Sequence, residues 1–189
     1  MALTIQRDAS LLLVVDIQER LAPAIHGLSG VLARTSALIR VARELELPVA
    51  FTEQNPKGIG PTLAELRALA PAAPVLEKNR FAATAEPDHL GWIESLGRPQ
   101  VVVAGTEAHV CVLQTTLGLK QAGLEPYLVR DAVGSRSAHD RDAAICRLTA
   151  AGVPVVTTEM VLFEWLEQSG TAEFRAVLPL IKALAAGSG

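Results

Sequence analysis

Short apolar runs alternate with segments of helical periodicity along the chain. The first run, residues 11–15, is continuously apolar, which is typical of a strand buried on both faces of a parallel sheet. Five more strands are predicted, at residues 49–52, 74–77, 101–103, 124–129 and 153–157. Between and after them, helical spacing of apolar residues predicts helices at residues 31–47, 62–70, 86–96, 111–123, 139–151, 159–167 and 174–186.

This alternation predicts an α/β fold with three layers, αβα. We expect a doubly wound, Rossmann-like sheet of six mostly parallel strands in the order 3-2-1-4-5-6. Residues 1–189 suit one domain, with residues 186–189 as a disordered tail. In such a sheet, ligands bind outside the carboxyl ends of the strands, where the winding direction reverses between strands one and four.

Composition narrows the possible partners. Half of the residues are hydrophobic, the formal net charge is −3, and the chain has no basic run, which argues against nucleic acid and anionic membrane surfaces. The longest apolar runs are far shorter than the ~20 residues of a membrane helix. Two cysteines are too few for a disulfide framework, so a reducing cytoplasm is expected. The expected partner is a small molecule or another copy of the chain.

Three chemically active side chains follow predicted strands. Asp16 ends the first strand, Lys78 follows the third, and Cys111 lies at the corner after the fourth. A thiol there needs a proton acceptor, so Asp16 is the candidate general base and Lys78 the charge that stabilises the thiolate. Other interpretations stay open: Asp16 as a cap of the next turn, Lys78 as a solvated lysine, and Cys111 as a buried apolar residue.

Several motifs resemble one known family. Val-Asp-Ile-Gln at residues 15–18, Glu-Lys at 77–78 and Gly-Thr-Glu-Ala-His-Val-Cys-Val at 105–112 resemble the isochorismatase-like cysteine hydrolase superfamily. Residues 52–62 and 131–137 further resemble the isochorismatase domain-containing proteins. The resemblance implies a catalytic triad of Asp16, Lys78 and Cys111. It also implies a non-proline cis peptide at Thr106–Glu107, an oxyanion hole made by the backbone N–H groups of Glu107 and Cys111, and a homo-oligomer of two or more copies.

The sequence departs from the superfamily at one important place. Nicotinamidases of this superfamily carry an Asp-x-His metal motif after the second strand, whereas residues 52–55 here read Thr-Glu-Gln-Asn. The four histidines also lack the i, i+3 or i, i+4 spacing of metal ligands. We therefore expect no metal site and no cofactor.

Residues near the strand ends and in the loops at 54–61 and 79–84 are candidates for the substrate pocket. They are Gln18, Gln54, Phe81, His109 and Val110. His109 is a weaker alternative for the general base. Arg136 and His139 are predicted either to line the pocket or an interface or to be solvated. Cys146, among Ala144, Ile145 and Leu148, is predicted to be in the core.

These features favour a metal-independent hydrolase of a small amide or ester. Cys111 would form a thioester-type intermediate, and the bond broken would be a C–N bond other than a peptide bond, as in a linear amide. Two alternatives remain. One is a catalytically idle, oligomeric binding protein with the same fold, and the other is hydrolysis of a vinyl ether, which would not need the thiol.

Overall fold

A computed structural model describes residues 3–186. Residues 187–189 of the predicted tail lie outside the described residues, and the prediction is wrong for residue 186, which is the last residue of a helix. Within residues 3–186, six strands form one sheet with the order β3-β2-β1-β4-β5-β6, and every pairing between them is parallel. The predicted order is therefore confirmed. The strands are β1 (Ser10–Val15), β2 (Val49–Gln54), β3 (Val75–Lys78), β4 (Gln100–Thr106), β5 (Glu125–Gly134) and β6 (Val155–Val156).

In the described part of the chain, eight α-helices connect and follow the strands. They are α1 (Leu28–Glu44), α2 (Pro56–Ile59), α3 (Ala64–Leu69), α4 (Pro87–Ser95), α5 (Leu113–Gln121), α6 (Ala138–Ala150), α7 (Thr158–Leu166) and α8 (Ala172–Ala186). Among the described residues, none of the helices is both long and apolar enough to cross a membrane. The short helix α2 lies in a segment that the sequence predicted as a loop.

The sheet separates two apolar cores, which explains the continuous apolar strands. Leu12 and Val14 of β1 pack with residues of α1, α3, α7 and α8, whereas Leu11 and Leu13 pack with residues of α4, α5 and α6. Successive strand residues point to opposite faces, so a strand covered on both sides needs an apolar residue at every position. Each fully buried leucine or valine side chain contributes about 1.5–3 kcal/mol. The three-layer αβα prediction is confirmed.

Several predicted boundaries differ from the observed ones, and two of the differences, near the carboxyl ends of the central strands, bear on the site. Strand β5 continues through Gly134 because its pairing with β4 shifts register between Val103 and Gly105, which brings Gly105 opposite Val133. The other error concerns Cys111, which does not begin an α-helix. A π-helical turn, Ala108–Val112, precedes α5, and in it the Glu107 carbonyl accepts hydrogen bonds from the N–H groups of both Val110 and Val112.

Gly105 sets the distance between β1 and β4. A Cβ atom at this position would lie 2.1 Å from the carbonyl oxygen of Val15, and its φ of +139° is one that side chains rarely adopt. The close approach of the two strands brings the residue after β1 beside the turn that carries Cys111.

Candidate active site

A buried ion pair joins two strand ends. Asp16 directly follows β1 and Lys78 is the last residue of β3. The Lys78 Nζ lies 2.7 Å from Asp16 Oδ2, and both side chains have 0% exposure. Since burying an isolated charge is very costly, each of these groups depends on the other. The structure thus brings together two of the three residues that the sequence singled out.

The Cys111 thiol interacts with both charged groups. Its residue is only 3% exposed. Burial raises the pKa of Cys111 to about 12, the Asp16 carboxylate adds to the rise, and the nearby Lys78 ammonium opposes it. The hydrogen bond with Asp16 also raises the pKa of Cys111, and the hydrogen bond with Lys78 lowers it. At neutral pH the thiol is therefore protonated, and it can react as a thiolate only if a neighbouring group takes its proton.

Left-handed backbone conformations occur on both sides of this site. Asp16 has a φ of 52° and Glu107 a φ of 55°, values that are uncommon for residues other than glycine. Thr106 helps to hold the first of these, because its Oγ1 donates a 2.5 Å hydrogen bond to the Asp16 carbonyl. Such conformations persist only where the surrounding structure enforces them.

The predicted cis peptide at Thr106–Glu107 is wrong. None of the peptide bonds in residues 3–186 is cis. The chain turns sharply after β4 because Glu107 adopts the left-handed conformation, with a ψ of 54°, and the π-helical turn follows at once. This turn needs no cis bond.

A polar network surrounds Glu107, and the sequence did not predict it. Arg136 donates two hydrogen bonds to the Glu107 carboxylate, of 3.1 Å and 3.2 Å. The His109 Nε2 lies 3.8 Å from the same carboxylate, and its Nδ1 lies 3.0 Å from Ser135 Oγ. The Glu107 side chain is 9% exposed, whereas that of Arg136 is 60% exposed. The motif at 105–112 marked Glu107 only for its backbone, and nothing in the sequence paired it with Arg136.

The pocket candidates fall into two groups. Gln18 and Gln54 are buried and hydrogen-bonded: Gln18 Nε2 donates to the carbonyls of Gln54 and Gly60, and Gln18 Oε1 accepts from the Gln54 N–H. In contrast, Phe81 is 53% exposed, and His109 and Val110 are half-buried. The two glutamines therefore organise the site from within, and the other three lie nearer the surface.

The second cysteine is not in the core. Cys146 is exposed on α6, whereas its neighbours Ala144 and Leu148 are buried, so the prediction of a core position is wrong. Periodicity alone did not fix which face of α6 meets the sheet. The finding matters for experiments, because an exposed thiol reacts with labelling reagents without any activation.

No cluster of three or more His, Cys, Asp or Glu side chains within residues 3–186 could hold a metal ion.

Comparisons with known proteins agree with this architecture. The chain is 37% identical over 175 residues to isochorismatase domain-containing protein 2 of Danio rerio, covering 91% of this chain and 86% of the relative. It is also 36% identical to isochorismatase domain-containing protein 1 of Salmo salar, but spans only 61% of that relative's length.

Solved structures extend the similarity to the fold. A structure of MAR1 ribonuclease from Caenorhabditis elegans is 35% identical with a TM-score of 0.88, covering 95% of this chain and 92% of that one. YcaC from Pseudomonas aeruginosa, solved with hexane-2,5-diol and covalent acrylamide, is 27% identical with a TM-score of 0.90, covering 98% and 96%. The isochorismatase domain model matches residues 10–160. The resemblance noted in the sequence is thus confirmed, and the chain belongs to the isochorismatase-like hydrolase family.

Proposed function

We propose that this chain is a cysteine hydrolase that opens a small amide, or an ester, through a covalent intermediate on Cys111, without a metal ion. One observation carries the proposal: a buried carboxylate and a buried ammonium, 2.7 Å apart, both act on the buried Cys111 thiol. Ionisable groups that perturb one another in a closed site are typical of functional sites. In this proposal Asp16 is the general base and Lys78 stabilises the thiolate.

The first step moves a proton and forms a bond to sulfur. Because the resting thiol has a pKa of about 12, attack requires transfer of its proton to Asp16. The Lys78 ammonium then faces the negative charge that develops on sulfur. The sulfur attacks the carbonyl carbon, and the carbonyl electrons move to oxygen. We propose that the backbone N–H groups of Glu107 and Cys111 bind this oxyanion.

Two further steps complete the cycle. The tetrahedral intermediate collapses, the C–N bond breaks, and Asp16 gives its proton to the departing amine, which leaves an acyl group on Cys111 as a thioester. Water then attacks the thioester while Asp16 accepts its proton, the C–S bond breaks, and Asp16 returns that proton to the departing sulfur of Cys111. The products are a carboxylic acid and the free thiol, so atoms and charge balance. An ester would follow the same steps, with an alcohol as the leaving group.

Burial and sequence support the remaining parts of the proposal. A site whose three reactive side chains are almost fully buried suits a small substrate rather than a polymer. Residues 52–55 lack the Asp-x-His metal motif of the nicotinamidases, so a chelator is expected to leave turnover unchanged. The covalent acrylamide on YcaC shows that a small amide-bearing electrophile modifies a protein of this fold.

The experiment that tests this function is a screen of linear amides and esters. Intact-mass spectrometry detects an acyl adduct on the protein, and turnover is measured as release of the carboxylic acid. The protein should carry the Cys146→Ser substitution, since Cys146 is exposed. We expect an acyl adduct on Cys111 and no turnover in Cys111→Ala. Full turnover in Cys111→Ala would contradict the thiol mechanism and favour hydrolysis of a vinyl ether. If acrylamide labels Cys111 but no substrate turns over, the idle binding protein is favoured.

The screen should also include RNA as a test compound. The similar protein from Caenorhabditis elegans is described as a ribonuclease. We expect no RNA cleavage here, because the chain has a formal net charge of −3 and the candidate nucleophile is buried. Cleavage of RNA that disappears in Cys111→Ala would contradict the proposed small-molecule substrate.

A homo-oligomer and a cytoplasmic location remain predictions. Exposed apolar side chains on α7, Met160 and Phe163, support association between copies of the chain. Light scattering coupled to size-exclusion chromatography would measure the assembly. A mass of about 20 kDa, that of one chain, would contradict it.

A further inference from the structure

The ion pair between Asp16 and Lys78 crosses a strand that supplies neither charge. In the sheet, β2 lies between β1, which ends beside Asp16, and β3, which ends with Lys78. Val15 pairs with Thr52, and Lys78 pairs with Gln54, so two β2 residues lie under the ion pair. Residues two apart on a strand point to the same face. Thr52 and Gln54 therefore face the same side as Ala50, whose apolar cluster includes Cys111.

Thr52 holds the carboxylate. Its buried Oγ1 donates a 2.6 Å hydrogen bond to Asp16 Oδ1, while Lys78 binds Oδ2. An ionised carboxylate can only accept hydrogen bonds, so this donor fixes the orientation of the Asp16 carboxylate as an acceptor. Each oxygen still has one lone-pair site, and the Cys111 proton can be accepted there.

Gln54 directs the ammonium. Its Oε1 accepts a 2.7 Å hydrogen bond from Lys78 Nζ, and its Nε2 donates to the Asn79 carbonyl at 2.8 Å. The second contact fixes which end of the amide faces Lys78. An ammonium has three donors, and Asp16 and Gln54 accept two of them. One donor remains for the sulfur of Cys111, whose pKa responds to this lysine.

We propose that Thr52 and Gln54 are positioning residues. They place Asp16 to accept the Cys111 proton and Lys78 to stabilise the resulting thiolate. Thr52 orients the Asp16 carboxylate as a proton acceptor, and Gln54 leaves one donor of Lys78 for the sulfur. This inference rests on the proposed function, because it concerns the activation of Cys111. Thr52 contacts Asp16 and Gln54 contacts Lys78, so their effect is exerted through those two groups.

The test for Thr52 is the pH dependence of acrylamide labelling at Cys111, measured by intact mass in Cys146→Ser protein. Thr52→Val keeps the shape of the side chain and removes the donor. We expect the acidic limb of its rate profile to move to higher pH by roughly half to one unit. Thr52→Ser, which restores the hydroxyl, should return the limb to its original position.

The test for Gln54 uses the plateau of the same profile, which is the labelling rate of Cys111 at pH values above the acidic limb. Gln54→Met removes the acceptor for Lys78, and we expect the plateau rate to fall by roughly tenfold. Two matched variants serve as controls. Thr35→Val removes another buried threonine hydroxyl, which has no hydrogen-bond partner within residues 3–186, and Gln121→Met changes an exposed glutamine on α5. Both controls should label like the parent protein.

The outcomes separate this inference from the proposed function. If the parent protein shows an acidic limb that Asp16→Asn abolishes, but Thr52→Val leaves the limb in place, the positioning role is contradicted while the nucleophile stands. An unchanged plateau in Gln54→Met would contradict the role of Gln54. If the parent protein labels Cys111 without any acidic limb, the proposed function itself fails. Should Thr52→Val not fold, Thr52→Ala removes the same hydroxyl, and the same shift is expected.

Discussion

Removing the Lys78 ammonium should destabilise the fold strongly, and the structure gives the expected size. In Lys78→Met the Asp16 carboxylate would stay at a position with 0% exposure and lose its 2.7 Å partner. Breaking a buried ion pair in this way costs about 3–5 kcal/mol, because the remaining charge cannot return to water. The Thr52 hydroxyl still donates to that carboxylate, so we expect a value near the lower end, about 3 kcal/mol.

The assay is a double-mutant cycle read by urea unfolding in Cys146→Ser protein. Asp16→Asn and Lys78→Met are measured singly and together. Because the double variant leaves no unpaired charge, it should be less destabilised than the sum of the singles, by roughly 2–3 kcal/mol. For a chain of this size, Lys78→Met alone should lower the melting temperature by roughly 6–12 °C.

Two results would refute this reasoning. A loss below about 1 kcal/mol in Lys78→Met would mean that the pair behaves like a solvated surface contact. Additive effects in the double variant would mean that the two groups do not interact across β2. The matched control is Lys120→Met, since this lysine donates to the Gly152 carbonyl at the exposed surface.

Three further predictions concern the thiol, the strand contact and the polar network. The Cys111 thiol has an ordinary pKa of 9.0 when unfolded and about 12 when folded, so the unfolded state binds fewer protons between these values. The free energy of unfolding should therefore fall from about pH 9 to 12, more steeply than in Cys111→Ala, and equal slopes would contradict the raised pKa. Gly105→Ala should cost at least about 2 kcal/mol in urea unfolding, because its Cβ would meet the Val15 carbonyl, and a neutral effect would be contrary to the close strand contact. Arg136→Leu should lower the free energy of unfolding by about 1 kcal/mol in thermal unfolding. Glu107 loses two hydrogen bonds, but the effect is small because the Arg136 side chain is largely exposed. Adding Glu107→Gln to the Arg136→Leu protein should recover part of this loss.

Much of the fold could be predicted from single segments. The run at residues 11–15 has no polar position, and such a continuous apolar run is typical of a strand covered on both faces. Once the strand order was inferred, Asp16 and Lys78 had to lie at the same edge of the sheet, because parallel strands end together. The ion pair between them follows from topology and side-chain length.

What could not be predicted depends on rotation and on local backbone conformation. Cys146 is exposed because of the face that α6 turns to the sheet, and several alanines made that face ambiguous. The left-handed conformation of Glu107 and its contact with Arg136 arise from the turn after β4. The roles of Thr52 and Gln54 need hydrogen-bond geometry, which a sequence pattern does not contain.

The most direct measurement is rapid-quench mass spectrometry of the Cys146→Ser protein with a linear amide that it turns over. A cysteine mechanism predicts an acyl adduct on Cys111 that forms and decays at rates sufficient for turnover. Asp16→Asn should slow its formation by roughly 10²–10⁴-fold. Full turnover with no adduct at any time, or full turnover in Cys111→Ala, would contradict it.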